Sequence, residues 1–181
     1  YRELLKLAGE AIEAGANVRP VVAPRAIGVL LGLEASQNPF SGTPSYKKIA
    51  SLPLAERVAA LRDPEMRARI LSEDRIREST FPLIHRLSFA QMFRFGDPPN
   101  YEPKQSDSLA AIAEREGRTA AEVAYDVLLE NDGRNFIYSP ISNYASYDLS
   151  ASETMLADRN AIMGLGDGGA HVGFILDAGY P

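Results

Sequence analysis

The segment AIMGLGDGGAHVG, residues 161–173, sets one carboxylate, Asp167, among glycines and one imidazole, His171, four residues further on. A carboxylate can accept a proton or ligate a metal, an imidazole can do either, and a glycine-rich turn can cradle a phosphate. The phosphate reading needs a helix that starts directly after the glycines, so that its N–H groups and dipole face the anion. Here AHVGFILDAGYP follows, short and interrupted by glycine, with no Lys-Ser/Thr pair. Two readings of Asp167 stay open: a functional acid at the end of a strand, or the hydrogen-bonded Asp of an Asp-Gly turn. His171 either joins the same rim or packs with its ring nitrogens satisfied by backbone, and the local sequence favours packing. His85, in FPLIHRLS, has no acidic neighbour at ligand spacing and reads as a structural histidine. The chain has two histidines and no cysteine, whereas a catalytic zinc takes about three protein ligands plus water. No G-x-S-x-G elbow is present, so serine or thiol nucleophiles of the familiar kinds are not indicated.

The elements around this segment decide its placement. Apolar residues at 4, 5, 8, 11 and 12 follow the helical period, with Gly15 where a left-handed C-cap is expected. A strand over Val18–Ala23 follows, weakened by Pro20. GLEASQNPFSGTPS, residues 32–45, reads as a loop long enough to be functional or extended. SLPLAERVAALRDPEMRARILSED then predicts two short helices, the second with Asp63 as N-cap and Pro64 at its first position. Their apolar ridges, Leu54, Val58 and Leu61 and then Met66, Ile70 and Leu71, are thin, which suggests a peripheral lid or connector. SFAQMFRFGD predicts a strand, and DSLAAIAEREG a helix stopped at Gly117. Thr119 and Glu122 form a capping-box pair that opens a helix with the stripe Val123, Ala124, Val127 and Leu128. NFIYSPI predicts a strand, Ser150 with Glu153 a further capping box, and NAIMGLGD a last short strand. This alternation predicts an α/β protein with a parallel sheet covered by helices, which would put Asp167 at a carboxyl-terminal strand edge, where such folds bind ligands.

Composition narrows the function classes. With 181 residues, 45% of them apolar, the chain is long enough for a single α/β unit over residues 1–181, with 36–80 as a helical excursion within it. A net charge of −5 with the two signs interspersed offers no positive face for phosphates or anionic lipid, so neither nucleic acid nor a membrane is the expected partner. No apolar run reaches the roughly 18 residues of a span, and YRELLKLAGE lacks the order of a signal peptide. A soluble, cytoplasmic protein is the expectation. The first residue falls inside an amphipathic pattern, which reads as an excerpt of a longer chain.

At GLGDGGAHVG the sequence resembles the amidohydrolase superfamily, in the branch of the N-acyl-D-amino-acid deacylases (D-aminoacylase-like enzymes). PRAIGVLLGLEASQNPF, LPLAERVAALRDPEMRARIL, FGDPPNYEP and REGRTAAEVAYDVLLENDGR look like the later part of such enzymes in the same order, so the likeness covers nearly the whole chain. It implies the C-terminal half of a distorted (β/α)8 TIM-like barrel with helical excursions. It also implies zinc, held mainly by histidines from earlier strands, and a strand-end aspartate that takes the proton of the attacking water. Asp167 matches that aspartate, as general base and candidate metal ligand alongside ligands outside these 181 residues, and His171 is a candidate substrate contact. The family's early His-x-His pair has no counterpart in this chain.

The expected function is that of a metal-dependent hydrolase of carbon–nitrogen bonds other than peptide bonds, acting on a small N-acyl substrate such as an N-acyl-D-amino acid. The alternative from another class is a non-catalytic α/β binding or scaffold module derived from such an enzyme. Zinc is expected in the complete enzyme and not bound tightly to these 181 residues alone. A half barrel leaves unpaired strand edges and uncovered apolar surface, so self-association is expected as well.

Overall fold

The fold is a mixed α/β arrangement, seen in a computed structural model that describes residues 1–74, 87–164 and the strand at 175–176. Contacts divide it into two compact units. The first comprises residues 1–29 and 140–172 with 176–181, and the second 30–139 with 173–175.

The first unit opens with helix α1, Arg2–Glu13, followed by Gly15 at φ +93°, the left-handed turn that its position after the apolar stripe predicts. None of its residues is fully buried. The strand expected over Val18–Ala23 is realised only as β1, Val21–Val22; Pro20 lacks an N–H, although its carbonyl accepts from Ile162 at 2.9 Å. β1 pairs in parallel with Ile162–Met163, with Val21 opposite Ile162 and Val22 opposite Met163. Between them in sequence lies a short helix, Ser150–Leu156. The capping box expected of Ser150 and Glu153 does not form. Ser150 is already inside the helix, and its N–H and hydroxyl both donate to Asp148, at 3.0 and 2.6 Å. Among the described residues, Val22, Ala23, Ala26, Val29, Tyr144 and Met155 supply this unit's buried apolar side chains.

The second unit has the denser core. A strand at Ile27–Gly32 (β2) enters it; IGVLLG is a continuous apolar run, whose lack of alternation hides it from a period-two search. Helix α2, Pro44–Lys47, is capped by Thr43, whose hydroxyl accepts from the Tyr46 N–H. Helices α3, Leu54–Arg62, and α4, Pro64–Ser72, follow, and Asp63 caps α4 by accepting from the Met66 N–H at 2.8 Å, as expected. Their thin ridge is core: Val58, Leu61 and Ile70 are all buried. A short strand, Phe93–Phe95 (β3), leads to α5, Leu109–Glu116, which ends at Gly117 in the left-handed conformation. Helix α6, Ala120–Leu129, carries the predicted capping box, with Thr119 Oγ1 accepting from the Glu122 N–H and the Glu122 carboxylate accepting from the Thr119 N–H. That backbone N–H is the main reason the Glu122 carboxyl lies below its ordinary value. Val123, Ala124, Val127 and Leu128 are buried as the stripe predicts, and Tyr125 is buried with them.

After α6 the chain reverses through Asn131, Asp132 and Gly133, all at positive φ. At Gly133 a side chain would collide with Val58 Cγ2 and approach Leu33 Cδ1 to 3.1 Å, so glycine is required both by conformation and by space. The chain then enters β4, Phe136–Ser142. The sheet order is β3-β4-β2-β6, where β6 is Ile175–Leu176 and Ile162–Met163 is β5 of the separate two-stranded sheet. A single parallel sheet would hold Phe136–Tyr138 together with Val18–Ala23; Phe136–Tyr138 lies instead in the sheet of β2, and its pairing with β3 is antiparallel, Phe93 opposite Tyr138. The β3–β4 connection places two helices before the return, which allows the chain to come back in either direction.

Candidate functional site

Asp167, His171 and His85 all lie outside the described residues. What leads towards Asp167 is described. The Gly164 N–H donates to the Val22 carbonyl at 3.0 Å, so parallel pairing with β1 persists to three positions before Asp167. Gly164 also meets β1 closely, since a Cβ there would stand 3.0 Å from Val21 Cγ1. The parallel direction of β5 is therefore as the sequence predicts, and the residues that could do chemistry follow its carboxyl end in sequence.

Among the described residues, the most strongly paired carboxylate is Asp126 on α6. Arg67 of α4 donates to its Oδ1 and Arg118, just before α6, to its Oδ2. Burial works to raise this carboxyl, but the two guanidinium hydrogen bonds and their charges outweigh it and hold Asp126 below the usual carboxylate range. The Arg67 guanidinium also lies over the Tyr125 ring, 4.8 Å from its centroid. Burial pushes the Tyr125 phenol up to about 12, and its hydroxyl donates to the Leu61 carbonyl at 2.8 Å. A carboxylate held by two cations is a poor base, and a phenol of this kind keeps its proton. The cluster ties α4 to α6 and is not acid–base machinery.

The loop at residues 32–45 contributes to a surface cavity of about 210 Å³. Asn38 is fixed within the loop: its Oδ1 accepts from the Phe40 N–H at 2.9 Å and its own N–H donates to Ser41 Oγ at 2.8 Å. Arg57, from α3, reaches the Leu33 carbonyl at 2.7 Å and the Leu52 carbonyl at 3.2 Å. The sequence marks the loop but not Arg57, because the helix pattern singles out only the apolar ridge of Leu54, Val58 and Leu61.

No group of three or more His, Cys, Asp or Glu able to hold a metal occurs among the described residues. No helix among them is long and apolar enough to cross a membrane. Comparison with models of known families, with curated proteins and with solved structures finds no match to this chain.

Proposed function

We propose that the chain is the later part of a TIM-like amidohydrolase barrel and that the complete enzyme cleaves an acyl–nitrogen bond of a small N-acyl compound, such as an N-acyl-D-amino acid. Asp167 acts as general base: its carboxylate takes a proton from the attacking water while the water oxygen bonds to the acyl carbon. That proton then passes to the nitrogen as the carbon–nitrogen bond breaks, giving a carboxylic acid and an amine. Zinc, when bound, lowers the pKa of the attacking water and polarises the acyl oxygen. Asp167 is also a candidate ligand, with histidines from beyond these 181 residues as the others, and His171 contacts substrate.

The observation that supports this reading is the parallel β1–β5 pair, which holds the chain through Gly164, the first residue of GLGDGGAHVG. In α/β folds the residues just past such a strand end are those that meet ligand. The test is an assay of the complete zinc-loaded protein on paired D and L series of N-acyl-amino acids, with Asp167→Asn alongside. Asparagine keeps size and hydrogen bonding but cannot take the proton, so turnover is expected to fall roughly 100- to 10,000-fold with the fold retained. Turnover at the wild-type rate in the variant would remove Asp167 from the chemistry. His171→Ala is expected to cause a smaller loss.

A further inference from the structure

The cavity beneath the 32–45 loop has a composition that selects for a ligand class. Its lining includes Arg57 and Lys47 together with Asn38, Gln37 and Ser36, and no aspartate or glutamate. Among the described residues Arg57 meets only neutral acceptors: the Leu33 and Leu52 carbonyls and, at 3.4 Å, the Tyr46 hydroxyl. Its Nε is buried with no partner. The contrast is with Arg62, Arg67, Arg94 and Arg118, each of which has a carboxylate against its guanidinium. A half-buried guanidinium bound only to neutral oxygens leaves its charge uncompensated, and low local dielectric makes that charge felt strongly in the adjoining space.

Asn38 adds a directed donor. It is 2% exposed, and the Oδ1 contact with the Phe40 N–H fixes which way its amide faces. Among the described residues the Nδ2 group has no acceptor. Asn38 lines the cavity, so this donor is open to a ligand there. The loop's internal hydrogen bonds from Asn38 to Ser41 Oγ and from Thr43 to Phe40 hold this arrangement in place before any ligand arrives.

We propose that this cavity binds a small oxyanion, the carboxylate or phosphate group of a small molecule, with Arg57 supplying charge and the Asn38 amide a directed hydrogen bond. The proposal stands on the second unit alone and does not depend on amide hydrolysis at Asp167. It is tested by titrating the full chain at constant low ionic strength with inorganic phosphate and, separately, with acetate, using chloride as reference. The readout is the ¹H–¹⁵N signals of the Arg57 Nε and Asn38 side chains. Saturable shifts at both signals with phosphate, acetate or both, absent with chloride, are expected, and the stronger of the two identifies the group. Asn38→Asp keeps the Oδ1 acceptor for Phe40 and replaces the donor with a negative charge; it is expected to weaken binding roughly tenfold or more. Ala50→Phe, on the exposed edge of the cavity, obstructs it without removing any charge and should weaken binding by a similar factor. No saturable response beyond chloride in the wild-type chain, or wild-type affinity in folded Ala50→Phe, would overturn the proposal.

Discussion

Helices α1 and α6 are of similar length and both amphipathic, yet they end in opposite circumstances. α6 buries five of its residues, including Tyr125, and α1 buries none. The same contrast divides the sheets. In the second unit the end of β2 and the start of β4 lie among large buried side chains such as Leu31, Leu33 and Ile137. The two-stranded parallel pair of the first leaves Val21 64% exposed, Ile162 50% and Met163 61%, and on α1 Leu4 is 71% exposed. Parallel strands are ordinarily covered on both faces. The second unit is thus a finished core, whereas the first presents the kind of apolar surface that proteins usually cover.

Substitutions sharpen this difference in order of expected size. Ile70, fully buried on α4, should cost about 2–5 kcal/mol when replaced by alanine, from lost burial and the cavity left behind. Chemical denaturation measures it, and a loss no larger than that of an exposed leucine would break the claim that α4 is core. Gly133→Ala meets both a positive φ and the Val58 side chain, for an expected loss of about 1–3 kcal/mol. Asp126 works at smaller scale because it is partly exposed. Its carboxyl is held below the usual range in the fold, so its contribution is present above the unfolded-state value and fades as pH falls through the folded one. Asp126→Asn should therefore melt below the wild type at neutral pH, by less than about 1 kcal/mol after solvent screening, and the gap should close in acid. A gap that widened in acid would reverse the sign of the argument. Smallest of all, Leu4→Gln should change stability by under about 0.5 kcal/mol but reduce concentration-dependent association in sedimentation. An unchanged association would mean that this surface does not mediate it.

Much of the local structure was legible because it is set by short-range chemistry. Asp63 with Pro64, the Thr119–Glu122 pair and Gly117 each fix a helix end through hydrogen bonds or dihedrals available within a few residues. The parallel direction of β1 and β5 follows from connectivity, but their direct pairing as a sheet of two does not. What could not be read was which strands share a sheet. Phe136–Tyr138 went to β2 because IGVLLG, buried without alternation, offers a neighbour that the periodic pattern does not reveal. Ser150 failed as a cap because Asp148, two residues earlier, competes for the same N–H. Asp167 was picked out by its glycines and its place after a strand, while the cavity at Arg57 depends on a loop folding over a helix, a contact between residues some twenty positions apart that no local pattern encodes.

On the proposed function two aspartates of this chain divide the labour: Asp126 ties α4 to α6, and Asp167 is proposed to move a proton. The most direct measurement compares Asp167→Asn and Asp126→Asn in the complete protein, recording hydrolysis rate per folded molecule and melting temperature for each. Asp167→Asn is expected to keep its melting temperature and lose roughly 100- to 10,000-fold in rate, whereas Asp126→Asn is expected to melt earlier at neutral pH and keep its rate. Wild-type turnover by Asp167→Asn, or an equal loss of rate in both variants, would contradict this division.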